Sequence, residues 1–342
     1  SLTKLELLSV LFERWCGEKI TSINKMPASG SPREYYRIEG PNSTAIGAIN
    51  TDREENQAFI EFSRHFHSLG LAVPKIYLED LDNHAYLQED LGDVALFDYI
   101  FQLREKGNFP KELVGVYKKV LTELQKFQIP GSKDLNYSLC YPRASFDRQS
   151  MQWDLSYFKY YFLKLASIPF NEQKLEDDYN TLIEYLLGQD TDYFLYRDFQ
   201  SRNIMLRDGE PFFIDYQGGR RGALQYDVAS LLYDSKADIP PEIREDLLEH
   251  YIGELKNYPE VNQDAFRESY YPYVLIRIMQ AMGAYGFRGF YEKKTHFLQS
   301  IPYALNHIKW ILEHVTLPIQ IPTLLKVFEN LLSAPRLKRF RD

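Results

Sequence analysis

The sequence predicts an α+β protein of two lobes: a small five-stranded antiparallel sheet with one main helix, then a large, mainly helical lobe with a few short hairpins. Three observations lead there. Between residues 21 and 89, short runs rich in β-branched and aromatic residues alternate with turn residues. From Val94 onward the chain reads as mostly helical. That helical stretch is interrupted by two apolar runs joined by Asp208-Gly209, a strong hairpin signal.

Leu2 to Cys16 carries apolar residues at 2, 5, 7, 8, 11, 12 and 15 and reads as an amphipathic helix. Thr21 to Met26, Glu34 to Ile38, Thr44 to Ile49, Lys75 to Leu78 and Ala85 to Glu89 are the five expected strands. Glu54 to Leu69 is helical, with Gly70 as its C-terminal stop. The lobes are expected to divide at a hinge at 88–92, giving units 1–90 and 91–342. In the second unit Tyr193 to Tyr196 reads as a short aromatic strand. Ile204 to Leu206 and Pro211 to Ile214 read as two strands joined by the turn Arg207 to Glu210. Gln128 to Ser145, rich in Pro, Ser and Tyr, is an expected loop bordering a substrate cleft.

Composition fits a cytoplasmic enzyme. The 342 residues suffice for two lobes, and 44% hydrophobic content is ample for a core. Cys16 and Cys140 are far apart and show no metal spacing, as expected of a reducing cytosol. No apolar run approaches the ~18 residues that span a bilayer, so no membrane partner is expected. Net charge is −8, and the basic tail Arg336 to Arg341 reads as a solvated end and not a nucleic-acid arm. None of the seven His residues shows metal spacing.

The chemistry lies in Tyr196-Arg197-Asp198-Phe199-Gln200-Ser201-Arg202-Asn203 and in Asp215, twelve residues after Asn203. Phosphoryl transfer from ATP needs a carboxylate to orient and deprotonate the attacking hydroxyl. It also needs oxygen ligands for Mg²⁺ on the phosphates. The order R-D-x-x-x-x-N, hairpin, apolar strand, Asp is that of a kinase catalytic loop and metal loop. Asp198 is thus the expected catalytic residue, and Asn203 and Asp215 the metal ligands. The plainer alternative, in which Asp198 and Asn203 cap turns and Asp215 caps a helix, requires three unrelated caps at this spacing.

Ile214-Asp215-Tyr216-Gln217-Gly218-Gly219, followed by Tyr226-Asp227-Val228-Ala229-Ser230-Leu231-Leu232, resembles the aminoglycoside phosphotransferase and choline kinase superfamily, with its protein-kinase-like fold. It is most similar to the bacterial branch of anomeric kinases acting on the cell-wall amino sugars N-acetylmuramate and N-acetylglucosamine. The resemblance runs from about Met26 to Leu312 and is strongest over Tyr193 to Asp234. It implies ATP and Mg²⁺ as cofactors and a small-molecule acceptor, a sugar or amino sugar being favoured. It gives Asp227 a structural role beneath the catalytic loop, although a helix cap fits the residue equally. It also implies a phosphate loop at Ala28 to Arg33, with Ser29, Gly30, Ser31 and Arg33 binding the nucleotide. Adenine is expected on the backbone of Glu89 and Leu91 at the hinge.

Three departures stand out. The third strand, Ala45 to Asn50, lacks the Lys that usually holds the α/β-phosphates, and Arg33 and Arg37 are nearby cations. Arg37 faces either the cleft or the surface. Glu54 or Glu55 is the candidate helix partner, unless both serve the helix dipole alone. Tyr196 stands where the superfamily usually has His, and Gln200 matches a position often Gln in choline and ethanolamine kinases. In the large lobe Tyr157 to Phe162 and Tyr270 to Tyr273 read as core. Arg277, Gln280 and Arg288 are either acceptor ligands or helix-surface polar groups, and Arg202 either meets an anion or is exposed. Three functions remain open: a sugar kinase, a choline, ethanolamine or aminoglycoside kinase, and a catalytically weak nucleotide-binding regulatory module.

Overall fold

Residues 1–28, 31–105 and 107–341 are described in the computed structural model of this chain. Helix α1 (Lys4–Cys16) starts at Thr3, whose hydroxyl accepts the Glu6 N–H while Glu6 reaches back to the Thr3 N–H. Strands β1 (Ser22–Lys25), β2 (Glu34–Glu39) and β3 (Thr44–Ile49) follow, then α2 (Arg53–Ser68), β4 (Ile76–Asp80) and β5 (Ala85–Gln88). The strands form one antiparallel sheet in the order β1-β2-β3-β5-β4, as expected.

The period-2 alternation of the strands decides what each face covers. Ile38, Ala45, Ile49, Ala85 and Leu87 pack against Leu8, Leu11 and Phe12 of α1. Ala48 and Tyr86 point the other way and join Phe59, Phe62 and Phe66 of α2. This second face is continuous with the core of the helical region, so α2 lies between sheet and helices and touches both.

Helices α3 (Leu96–Arg104), α4 (Lys111–Gln128), α5 (Arg148–Phe158) and α6 (Glu172–Leu187) precede the functional hairpins. Strand β6 (Tyr193–Leu195) leads into the Asp198 loop, and β7 (Ile204–Arg207) pairs with β8 (Glu210–Phe213). Their turn is the expected one, with Asp208 at φ 54° and Gly209 at φ 77°, the left-handed pair that a two-residue hairpin requires. Strand β6 pairs with a strand the sequence analysis did not anticipate, β9 (Arg220–Gly222). Helices α7 (Leu224–Leu232), α8 (Pro241–Glu254), α9 (Gln263–Tyr285), α10 (Ile301–His314) and α11 (Pro322–Ser333) complete the fold. No described helix is long and apolar enough to cross a membrane.

The aromatic runs fall largely in the core: Phe158, Phe162, Tyr270 and Tyr273 are buried, and Tyr160 is exposed. The 128–145 segment is a correction. It contains two short turns of helix, at Pro130–Ser132 and Tyr137–Leu139, and Ala144 and Phe146 exchange backbone bonds with Arg221. It is packed against β9 and does not line either of the cavities described below.

Candidate active site

Two cavities meet at the Asp198 loop. The smaller, about 380 Å³, lies between sheet and helices and is lined by Arg33, Glu89, Leu91, Asn203 and Asp215. The larger, about 650 Å³, lies among the helices and is lined by Asp198, Gln200, Arg277 and Arg288. Arg202 lines both.

The loop is held in an uncommon conformation. Arg197 (φ 77°) and Asp215 (φ 65°) both sit in the left-handed region, which costs a non-glycine residue of order 1–3 kcal/mol. Asp227, at the start of α7 and fully buried, holds the first of these in place. Its carboxylate accepts the Arg197 N–H at 2.9 Å and the Tyr196 N–H at 2.8 Å. It is thus a brace beneath the loop and not the helix cap, which is Ala223. Burial pushes the Asp227 carboxyl up to about 7, against the pull of those two N–H donors. Tyr196 fills the space below the loop and donates its hydroxyl to the Ile214 carbonyl, just before Asp215. The Asn203 side chain donates to the Asp198 carbonyl at 2.8 Å, and the Asn203 carbonyl accepts the Ile214 N–H at 3.2 Å. Asp198, Asn203 and Asp215 are therefore brought together by a short chain of main-chain contacts.

Tyr216 anchors the loop after Asp215. Its ring stacks on Phe59 at 5.2 Å, and its hydroxyl bonds Ser63, both on α2. The same helix presents Glu55, and Arg33 bridges the two elements. The Arg33 guanidinium lies 3.2 Å from Glu55 Oε1 and 3.2 Å from Asp215 Oδ1. Glu55 is thus the acid of α2 that Arg33 pairs with, while Glu54 is exposed. Gln217 donates to the same Asp215 oxygen. Burial raises the Asp215 carboxyl above its ordinary range, the neighbouring Asp198 raises it further, and Arg33 opposes both.

Arg37 turns to the 88–92 segment, where the hinge is expected, and not to the phosphate side. It bonds both oxygens of Asp90, at 2.8 and 3.1 Å, and Asp93 at 2.8 Å. Arg207 of β7 reaches Glu89 at 2.9 Å, so cations from both sides brace the segment. The Glu89 N–H is spent on the Lys75 carbonyl at 2.9 Å, which narrows the expected adenine pairing there to the Glu89 carbonyl. Ser29 and Gly30 lie outside the described residues. Ser31 accepts from Arg33 Nε at 3.0 Å and lines the smaller cavity.

Several participants escaped the sequence analysis. Arg220 of β9, 2% exposed, sits near Asp198, Arg197 and Asp154, and burial together with Arg197 lowers its pKa to about 10. Asp154 of α5 is pushed up to about 6 by burial, with Arg197, Arg277 and Arg220 opposing. Gln217 had a signal, its place two residues after Asp215. Asp154 and Arg220 had none, since nothing local marks a residue that acts by tertiary proximity.

The donors present fit a hard divalent cation. Asp215 and Asn203 offer oxygen ligands at the smaller cavity, and a cation, Arg33, already sits against Asp215. Among the described residues no group of three or more His, Cys, Asp or Glu forms a metal cage. That suits Mg²⁺, which takes one or two protein ligands and completes its shell with phosphate and water.

Comparison with known proteins agrees with this geometry. Residues 23–262 match the phosphotransferase enzyme family. The N-acetylmuramate/N-acetylglucosamine kinase of Neisseria meningitidis is 24% identical over 287 residues, 81% of each chain. A choline kinase structure from Cryptosporidium parvum has a TM-score of 0.58 at 13% identity, over 93% of this chain and 94% of that one. An amicoumacin kinase bound to AMP-PNP and Ca²⁺ has a TM-score of 0.53 at 12% identity, covering 90% of this chain and 87% of that one. At such identities the structural likeness shows the kinase-like fold alone.

Proposed function

The chain belongs to the phosphotransferase enzyme family, and we propose that it is an ATP- and Mg²⁺-dependent kinase of a sugar or amino-sugar hydroxyl, the anomeric one included. Membership makes it a kinase with a hydroxyl acceptor and implies ATP use. The acceptor class, the metal and the residue roles are the proposal. The observation that carries it is one loop serving both cavities, with Asp198 facing the larger, Asn203 and Asp215 the smaller, and Arg202 on the wall between them.

Asp198 orients the acceptor hydroxyl toward the smaller cavity and accepts its proton. Asn203 and Asp215 supply the metal's protein oxygens. A Mg²⁺ held there would supply positive charge to offset that of the phosphates. Arg33, steadied by Glu55, exchanges its contact with Asp215 for one with phosphate. The hinge carbonyl of Glu89 and the backbone of Leu91 seat the adenine. Catalysis is chiefly positioning and electrostatics.

A choline or ethanolamine kinase is the second reading, favoured by Gln200, which lines the larger cavity. A cationic acceptor requires carboxylates or an aromatic cage. The larger cavity is lined by the aromatics Phe97, Tyr233, Tyr285 and Phe297 and the carboxylates Asp198 and Asp234, but its five cations, Arg202, Lys236, Arg277, Arg288 and Lys294, outnumber the carboxylates and disfavour a cationic acceptor, which supports the sugar.

The test is ADP release with Mg-ATP across N-acetylmuramate, N-acetylglucosamine, choline, ethanolamine and an aminoglycoside, with Asp198→Asn as the blank. Turnover on an amino sugar that vanishes in the variant is expected. Turnover confined to choline or ethanolamine would replace the proposal by the second reading. Asp215→Ala should abolish Mg²⁺-dependent ATP binding in calorimetry; unchanged binding would remove Asp215 from the metal site.

A further inference from the structure

Beyond the choice of a sugar acceptor, and resting on it, we infer that the acceptor carries an anionic group, a carboxylate or a phosphate, and that Arg277 seats it. Arg277 is a specificity-determining residue on this view, lining the same cavity as Asp198.

Arg277 lies on α9, only 6% exposed, yet its side chain lines the larger cavity. Its contacts are neutral. Nε donates to Ser230 Oγ at 2.8 Å and Nη1 donates to Gln280 Oε1 at 2.9 Å. Among the described residues it forms no ion pair, and its Nη2 makes no hydrogen bond. A guanidinium buried to this degree usually has a carboxylate to offset the loss of water. The carboxylate whose field reaches it, Asp154, is shared with Arg197 and Arg220 and does not line the cavity. The cavity itself is where the missing anion fits.

The rest of the wall is consistent. Arg202 and Lys236 are likewise without ion pairs among the described residues. Arg288 and Lys294 both lean on Glu292, at 3.5 and 3.7 Å, so two cations share one carboxylate. Arg288 reaches the cavity because the chain leaves α9 through a wide π-helical turn, Gly286–Tyr291. That turn packs so closely on the turn at Lys159–Leu163 that a Cβ at Gly286 would be driven into the Tyr161 carbonyl. Of the two lining carboxylates, Asp234 is already engaged by the Ser201 N–H at 3.1 Å and hydroxyl at 2.6 Å. Asp198 is left to meet the hydroxyl. The cavity therefore combines one free base, Asp198, with an excess of unpaired cations in its lining. The planar fork of an arginine suits a carboxylate or phosphate oxygen pair better than a hydroxyl.

The probes are N-acetylglucosamine, N-acetylmuramate and N-acetylglucosamine 6-phosphate, which share a sugar and differ in the acid. Calorimetric Kd values at low salt are compared for the intact protein and Arg277→Gln, with the melting temperature of each recorded. One acid probe should bind at least tenfold tighter than the neutral sugar, and Arg277→Gln should cut that ratio to about twofold. Preference for N-acetylmuramate identifies a sugar carboxylate, and preference for the 6-phosphate a sugar phosphate. Equal binding of acid and neutral probes, no binding of either acid, or a ratio that survives in Arg277→Gln would overturn the inference. If Arg277→Gln does not fold, Arg277→Lys is used, which keeps the charge and loses the fork. A ratio narrowed at least threefold is then expected, and an unchanged one counts against it. ADP release on the same sugars separates this inference from the kinase proposal. Turnover without acid preference defeats only the anion seat, and acid-selective binding without turnover defeats only the sugar-kinase reading.

Discussion

The two cavities that meet at the Asp198 loop differ in how far their charges are paired. In the smaller one the lining cations and acids largely answer one another: Arg33 with Glu55 and Asp215, Arg37 with Asp90 and Asp93 just behind the wall, Arg207 with Glu89 at the hinge. In the larger one Arg202, Lys236 and Arg277 have no such partner among the described residues. The smaller cavity is a preformed electrostatic frame that a metal and phosphates enter by exchanging one set of charges for another. The larger cavity carries a charge for its ligand to complete. The first arrangement suits a cofactor common to a whole family and the second suits discrimination among acceptors, where specificity comes from groups left unpaired by the wrong ligand.

The sharpest break is expected on the loop that serves both cavities. Asp198→Asn should lower kcat by about 10³-fold or more, within the range for loss of a general base, while Kd for ATP measured by calorimetry stays within twofold. Retained turnover would end the assignment of Asp198, and lost ATP binding would mean the variant disturbs the nucleotide side.

The next effect separates the balanced cavity from the open one. Arg33→Met removes the partner of both Glu55 and Asp215, and should raise KM for ATP about tenfold, ~1.4 kcal/mol, with acceptor KM little changed. Arg33→Lys should fall between, since an ammonium cannot fork across two carboxylates. An unaltered KM for ATP in Arg33→Met would show that the missing third-strand Lys has no substitute here.

An effect of similar size concerns stability beneath the larger cavity. The Asp154 carboxyl is raised to about 6, so between about pH 4, the ordinary carboxylate value, and pH 6 the folded protein holds a proton that the unfolded chain has released. Stability from this group is therefore greatest at low pH and is lost as pH rises through that window. Asp154→Asn should raise the midpoint of urea unfolding at pH 7.5, by about 1–3 kcal/mol of stability, and change little at pH 4. A loss of stability at pH 7.5 would mean that the arginines around Asp154 depend on its charge.

Legibility in the sequence followed the range of the interaction. The β7–β8 turn was readable because Asp208-Gly209 alone adopts the required backbone. Helices α1 and α2 were readable from apolar spacing, with their starts at Lys4 and Arg53 set by the Thr3 and Asp52 caps. Strand β9 was not, because Arg220-Arg221-Gly222 has no apolar alternation and is a strand only through its pairing with Tyr193 to Leu195. The 128–145 segment was misjudged since its composition marks a loop but says nothing of the surface it packs on.

By itself the sequence determined the local devices: the strands and helices of the small lobe, the Asp198–Asn203 spacing on one loop, and the hairpin that carries the chain to Asp215. These depend on neighbours in the chain, and a short motif encodes them. Tertiary structure alone decided which charges answer which. Arg33 and Asp215 are 182 residues apart yet within 3.2 Å. Arg277 is buried among neutral partners, although as a helical Arg it could as easily have faced water. Coulombic interaction falls with distance in space and strengthens with burial, and neither quantity is written in the order of residues.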